Sequence, residues 1–183
     1  NNVARTVFNL GGDVLATGLA GGTNGMIIRN LLTQEGINHH FLEIAAHSRV
    51  CLTIIEEADR IITELYDPAP VIRAEEWDSV QKHLVTLAKK AELITLNGSL
   101  PTGLGDEAYR ELILLFKKAN QRCRVILDSS GEALRKGIEA QPFMVKPNRH
   151  EMETLVGRAL PDVTSRAKAV KMVNDQGIEL EFD

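Results

Sequence analysis

Residues 124–151, RVILDSSGEALRKGIEAQPFMVKPNRHE, alternate between short aliphatic runs and longer amphipathic ones. The run at 125–127 predicts a buried strand, and 131–136 predicts the helix that follows it. A second strand is predicted at 143–145, and another helix is expected to begin at Asn148. Repeated strand–helix units of this length indicate parallel strands covered by helices.

The same alternation continues on both sides of this stretch. Helices are predicted at 75–90 and 106–120, with a strand at 93–96 between them. Beyond the quoted stretch, a helix at 162–174 precedes a strand at Ile178. The fold class predicted is therefore α/β, with a central, mainly parallel sheet between layers of helices.

The first third of the chain begins in the same way and then changes. A helix at 2–10, a strand at 13–20 and a helix at 23–35 are predicted, the first two ending at paired glycines. Residues 49–56 and 60–66 instead alternate with the period of a strand, which predicts a β-hairpin. We therefore expect an inserted hairpin at 49–66 between two parts of an α/β core, 1–48 and 67–183.

Composition excludes several functional classes. A net charge of −4 gives no electrostatic reason to expect a nucleic-acid partner. No apolar run approaches the ~18 residues of a membrane span. Cys51 and Cys123 are too few and too far apart for a disulfide framework, so a cytoplasmic protein is expected. The five histidines have no ligand spacing with cysteine or carboxylate residues; they are His39, His40, His47, His83 and His150.

Four predicted strands are followed by segments rich in glycine and small polar residues. Glycine allows close backbone approach to an anion, and a helix that begins after such a segment favours phosphate through its dipole. Ligands of open α/β sheets bind beyond the carboxyl ends of the strands. The segments are GGTNG at 21–25, NGSLP at 97–101, DSSG at 128–131 and KPN at 146–148.

Each of these segments alone also has a purely structural explanation, because such residues are common in strand-to-helix turns. Ser129 and Glu132 have the spacing of a capping box, and so do Asn148 and Glu151. Arg49, at the start of the predicted hairpin, is either a solvated surface residue or a group that grips a phosphate with two hydrogen bonds. Single segments leave these alternatives open.

In combination the segments are more specific. Together they resemble the 1-phosphofructokinase, tagatose-6-phosphate kinase and minor 6-phosphofructokinase branch of the ribokinase-like, PfkB-type carbohydrate kinases. The resemblance runs from residue 1 to about residue 175. It is carried, in this order, by NVAR at 2–5, GLAGG at 18–22, Ser48-Arg49, ELYDP at 64–68, GSLP at 98–101, ILDSSGEAL at 126–134 and VKPNRHE at 145–151.

The resemblance implies ATP-dependent phosphorylation of a ketohexose phosphate with Mg²⁺, on a three-layer ribokinase-like domain. Fructose 1-phosphate, fructose 6-phosphate and tagatose 6-phosphate are the substrates expected. The hairpin at 49–66 would be part of a β-sheet lid that joins a homodimer. Carried over by position, the site residues implied are Asn2, Arg49 and Ser99 for the sugar phosphate, Lys146 and Asn148 for the ATP phosphates, and Glu151 for Mg²⁺ through water.

The chain also departs from the family pattern. Val50-Cys51 follows Arg49 where this branch has a polar residue and asparagine, and Thr102 replaces a second proline. The family's first strand is expected before Asn1, and its Gly-Ala-Gly-Asp segment with the catalytic base is expected beyond Asp183. The chain is thus interpreted as a fragment that is inactive alone. The alternatives are a non-catalytic sugar-phosphate-binding or dimerisation module and, more weakly, a nucleoside kinase relative.

Overall fold

The structure is a computed structural model that describes residues 2–56 and 60–180. The chain divides into two compact units. Unit 1 contains Asn1–Val80 and Pro101–Gly103, and unit 2 contains Gln81–Leu100 and Leu104–Asp183. None of the helices in the described ranges is long and apolar enough to cross a membrane.

Unit 1 begins with two helices and a short parallel sheet. Strands β1 and β2 pair in parallel, with Ala16 opposite His39 and Ala20 opposite Glu43. Leu32 and Ile37 are fully or almost fully buried in the core that the helices share with these strands. The elements are α1 (Asn2–Asn9), β1 (Ala16–Ala20), α2 (Gly22–Gln34) and β2 (His39–Glu43), followed by β3 (Cys51–Glu56), β4 (Ile61–Tyr66) and the first part of α3 (Ala74–Ala88).

Two features of unit 1 differ from the sequence-based prediction. The strand predicted at 13–20 begins only at Ala16. Strand β2 was not predicted, because its sequence HHFLE places two polar residues before a single apolar pair and matches neither period. Its pairing with β1, rather than its own residues, makes this segment a strand.

The predicted hairpin is confirmed as an antiparallel pair. Cys51 lies opposite Tyr66 and Glu56 lies opposite Ile61. The turn predicted between these strands falls on residues 57–59, outside the described ranges. All six residues of each strand are exposed, so the alternating pattern buries neither face within this chain.

Unit 2 is a four-stranded parallel sheet with its helices in the crossovers. The strands lie in sequence order, β5-β6-β7-β8, which confirms the parallel α/β prediction. Phe116 and Leu127 lie in its core at 1% and 0% exposure. The elements are β5 (Leu93–Asn97), α4 (Ala108–Ala119), β6 (Arg124–Asp128), α5 (Gly131–Glu139), β7 (Met144–Val145), α6 (Arg149–Val156), α7 (Val163–Asn174) and β8 (Glu179–Leu180).

The two predicted capping boxes had different outcomes. The box at Asn148 and Glu151 is confirmed at the start of α6. The box at Ser129 and Glu132 is wrong, because α5 starts one residue later and its N-cap is Ser130, which makes no side-chain cap bond. Glu132 therefore lies too near the helix end for the reciprocal bond, and it pairs with Arg135 instead, with Nε–Oε distances of 3.0 and 2.9 Å.

Candidate functional site

The loops after β5, β6 and β7 lie side by side at the carboxyl edge of the unit 2 sheet. The amide of Gly98 donates to the carbonyl of Asp128 at 2.8 Å, and the amide of Lys146 donates to the carbonyl of Leu127 at 3.3 Å. These bonds continue the strand ladder, in which Asn97 is opposite Asp128. Because the strands are parallel, all three loops emerge at one edge, where ligands of such sheets bind.

The first of these loops is held by a buried tyrosine. Gly98 has a φ of +93°, a conformation that favours glycine. Its carbonyl accepts a 2.9 Å hydrogen bond from the hydroxyl of Tyr109, which is 7% exposed. Burial, with a smaller contribution from Asp128, raises the pKa of Tyr109 to about 12, so the hydroxyl remains a donor at neutral pH. Gly98, which precedes the exposed Ser99, is therefore held through its amide by Asp128 and through its carbonyl by Tyr109.

Sequence reasoning missed Tyr109. It lies on the predicted amphipathic helix at 106–120, and nothing in its spacing distinguishes it from a core residue. Its role depends on a contact between the start of α4 and the turn after β5. A tyrosine on an inward helix face is a weak signal for such a bond, because a buried hydroxyl generally finds a partner.

The third loop leads directly into α6. The side-chain oxygen of Asn148 accepts from the amide of Glu151 at 2.9 Å, and Glu151 Oε2 accepts from the amide of Asn148 at 2.8 Å. The reciprocal bonds fix both side chains at the helix N-terminus, where the dipole favours an anion. Pro147 is fully buried, so the half-buried Lys146 is held two residues before the exposed Asn148.

The donor set at this edge suits a phosphate with a hydrated magnesium ion. Glu151 uses one carboxylate oxygen for the cap, which leaves the other for a water or a cation. Within residues 2–56 and 60–180, no three His, Cys, Asp or Glu side chains are grouped to hold a metal directly. Mg²⁺ commonly keeps several waters and binds through one or two carboxylates and the phosphates of a nucleotide. The residues at this edge therefore fit a Mg²⁺ ion that is bound through its waters.

The middle loop contributes a buried polar group. Ser129 is only 5% exposed, and its hydroxyl has no hydrogen-bond partner among the described residues. The helix that follows begins at Gly131 without a side-chain cap. The loop thus combines an unpaired hydroxyl with an uncapped helix end, beside the half-buried Asp128. The sequence predicted this loop as one of four phosphate-suited segments, but it did not indicate that the Ser129 hydroxyl would be buried.

The remaining predicted residues lie in unit 1. Asn2 is the first residue of α1 and is exposed, and its carbonyl accepts from the hydroxyl of Thr6 at 3.1 Å. Arg49 is exposed and lies just before β3. The structure therefore brings Ser99, Lys146, Asn148 and Glu151 to one sheet edge of unit 2 and places Asn2 and Arg49 on two separate segments of unit 1.

The chain matches a known protein family. The family model for the pfkB family carbohydrate kinases matches residues 1–180. The chain belongs to this family. Tagatose-6-phosphate kinase from Staphylococcus epidermidis is 32% identical over 179 residues, an alignment that covers 97% of this chain and 56% of that protein.

Two solved structures of phosphofructokinase-2 from Escherichia coli are also similar. The complex with fructose 6-phosphate is 29% identical with a TM-score of 0.89, covering 99% of this chain and 60% of the other. The tetrameric inhibited form is 30% identical with a TM-score of 0.86, covering 96% and 57%. These matches confirm the ribokinase-like α/β fold predicted for this pfkB-family chain. The chain spans somewhat more than half the length of these relatives.

Proposed function

We propose that this chain carries the sugar-phosphate-binding and ATP-binding residues of a kinase that phosphorylates a ketohexose phosphate. The substrates considered are fructose 1-phosphate, fructose 6-phosphate and tagatose 6-phosphate. The observation that carries the proposal is the reciprocal Asn148–Glu151 cap, two residues after Lys146 at the carboxyl edge of a parallel sheet. Family membership supports the reaction class.

The nucleotide side of the site follows from this edge. Phosphoryl transfer depends on positioning and charge neutralisation more than on covalent chemistry from the protein. Lys146 supplies a positive charge for the ATP phosphates, and Asn148 supplies amide hydrogen-bonding groups beside it. Glu151 orients a water of the Mg²⁺ shell with its remaining oxygen. Bound ATP supplies the phosphoryl group, and bound Mg²⁺ lowers the charge repulsion on its phosphates.

The sugar-phosphate side rests on three residues. Arg49 offers a planar guanidinium that matches two phosphate oxygens, which a lysine does not. Asn2 and Ser99 offer an amide and a hydroxyl to the sugar. The complex of phosphofructokinase-2 with fructose 6-phosphate, a similar fold at 29% identity, makes this ligand the first to test.

The test is ligand binding to the 183-residue polypeptide, measured by isothermal titration calorimetry. Arg49→Ala is expected to weaken fructose 6-phosphate binding by at least about 30-fold while leaving Mg·ATP binding unchanged. Glu151→Gln is expected to weaken Mg·ATP binding while leaving fructose 6-phosphate binding unchanged. We propose that this polypeptide binds both ligands without turnover, because all the residues proposed above have binding roles and none of them is proposed as a general base. Robust ADP production from fructose 6-phosphate would contradict that statement.

A second candidate function is a non-catalytic sugar-phosphate-binding or dimerisation module. The exposed hairpin favours it: Ile55 and Ile62, paired across the strands, are 64% and 62% exposed. An isolated two-stranded hairpin with apolar residues on both faces is marginal in water and is stabilised by a partner. We propose residues 49–66 as a lid that pairs with a second copy in a cytoplasmic homodimer. Sedimentation equilibrium of Ile55→Lys, which should be monomeric, tests this.

A further inference from the structure

Arg49 lies between two residues whose backbones are both anchored by hydrogen bonds. Ser48, before it, is bound to the N-terminus of α2, and Val50, after it, is bound to the base of the hairpin. The arginine itself is exposed. All the groups involved belong to unit 1.

The anchor on the α2 side consists of three bonds to Ser48. The amide of Gly21 donates to Ser48 Oγ at 3.1 Å, and the amide of Ser48 donates to the carbonyl of Gly21 at 3.0 Å. The side chain of Asn24 donates to the carbonyl of Ser48 at 2.8 Å. A Cβ at Gly21 would overlap the carbonyl oxygens of Ile44 and Ala46, so the segment before Arg49 lies directly on the start of the helix.

The anchor on the hairpin side is Asp67. Its Oδ2 accepts from the amide of Val50 at 3.0 Å, and its own amide donates to the carbonyl of Val50 at 3.0 Å. This reciprocal pair closes the hairpin just beyond the last strand pair, Cys51 with Tyr66. Pro68 follows and ends the strand because it has no amide hydrogen to donate.

We propose that Asn24 and Asp67 are positioning residues for Arg49, which they hold in place to receive the phosphate of the substrate. The inference rests on the proposed function of Arg49. A long side chain loses rotamer entropy when it binds, and an unfixed backbone would add to that cost. With residues 48 and 50 both anchored, the ligand does not have to order the backbone on either side of Arg49.

Asp67 provides the sharper test, because one substitution removes its acceptor and another keeps it. Asp67→Ala loses the bond to the Val50 amide and is expected to weaken fructose 6-phosphate binding about tenfold. Asp67→Asn keeps a side-chain oxygen in the same place and is expected to stay within about threefold of wild type. Asp78→Ala, an exposed carboxylate on α3, is the control for loss of one negative charge.

Asn24 is tested in the same way from the helix side. Asn24→Ala removes the donor to the Ser48 carbonyl, and Asn30→Ala, at an exposed position on the same helix, is its matched control. Every variant is also titrated with Mg·ATP, whose proposed residues lie in unit 2. A purely structural role would weaken both ligands together, whereas positioning of Arg49 weakens fructose 6-phosphate alone. Circular dichroism checks that each variant is folded.

The outcomes separate this inference from the proposed function. If wild type fails to bind fructose 6-phosphate, or Arg49→Ala binds it as well as wild type, the proposed function is wrong and the inference with it. If Arg49→Ala weakens binding but Asp67→Ala and Asn24→Ala match their controls, only the positioning role is wrong. Equal losses of fructose 6-phosphate affinity in Asp67→Ala and Asp67→Asn would also overturn the positioning role. The charge of Asp67, and not its hydrogen bond to Val50, would then be responsible for the loss.

Discussion

Glu151→Gln separates the two roles that Glu151 can have at the start of α6. As a cap, the side chain needs only an oxygen that accepts from the amide of Asn148, now at 2.8 Å. Glutamine retains that oxygen. As a group that orders the waters of Mg²⁺, the side chain needs its negative charge, which glutamine lacks. The substitution therefore preserves most of the structural role and removes the proposed functional one.

The expected loss of stability follows from the two cap bonds. Glutamine exchanges a charged acceptor for a neutral one and loses the carboxylate's interaction with the helix dipole, a cost of about 0.5–1 kcal/mol. Asn148→Ala removes the other bond of the box, which spans 2.9 Å, and should cost about 1 kcal/mol. The two variants are therefore expected to be similarly destabilised, as measured by urea denaturation followed by circular dichroism.

Binding of ATP and Mg²⁺ should distinguish Glu151→Gln from a variant that has a cap defect alone. Calorimetry of ATP with and without Mg²⁺ measures how much the metal strengthens binding, and in Glu151→Gln we expect that gain to fall about tenfold or more. The control is Asp162→Asn at the start of α7, where a carboxylate also forms a capping box, with Ser165, but has no proposed ligand. If Glu151→Gln keeps the full magnesium-dependent gain, Glu151 is only a cap and the metal assignment is wrong.

Three further predictions concern stability. Because the pKa of Tyr109 is raised from 10.0 to about 12, the unfolded chain loses the phenol proton at a lower pH than the folded chain does. The free energy of unfolding should therefore decrease between about pH 10 and 12. In Tyr109→Phe, the urea midpoint should decrease less over this range. Hydrogen bonds from Arg73 lower the pKa of Glu76 to about 2, so the ionised Glu76 carboxylate stabilises the folded state at neutral pH. This stabilisation should be lost as the pH falls from about 4.5 towards 2. An acid-unfolding curve that Glu76→Gln leaves unchanged would contradict this prediction. In Gly137→Ala, the added methyl group would overlap the side chain of Leu127 in the core. The variant should be less stable than wild type by about 1–2 kcal/mol, although alanine has the better helix propensity. A thermal midpoint at or above that of wild type would contradict this prediction.

Sequence reasoning succeeded where a feature depends on neighbouring residues. The Asn148–Glu151 cap spans a single helical turn, and the strands predicted at 93–96 and 125–127 are short, mainly apolar runs that lie within β5 and β6. It failed at Ser129, where the same spacing occurs but the strand extends through Asp128 and shifts the helix start by one residue. A spacing rule does not say which of two adjacent serines is the N-cap.

Features that join distant parts of the chain were not predictable in this way. Strand β2 depends on its pairing with β1, and the bond of Tyr109 to Gly98 spans 11 residues. The bonds that bracket Arg49 cross 24 residues on the side of Asn24 and 17 on the side of Asp67. Such partners are chosen by the path of the backbone, and no local pattern records them.

The sequence by itself determined that this is an α/β chain with phosphate-suited loops after its strands, and the order of those loops was enough to indicate its family. The α/β class could be predicted because hydrophobic period, turn residues and helix caps act over a few residues. The family was indicated only by the resemblance of the ordered motifs to known kinases. Only the tertiary structure decided what holds those loops in place. The Tyr109 hydroxyl holds the turn after β5, and the Asp67 carboxylate holds the backbone at Val50, because folding brings these distant chain segments together.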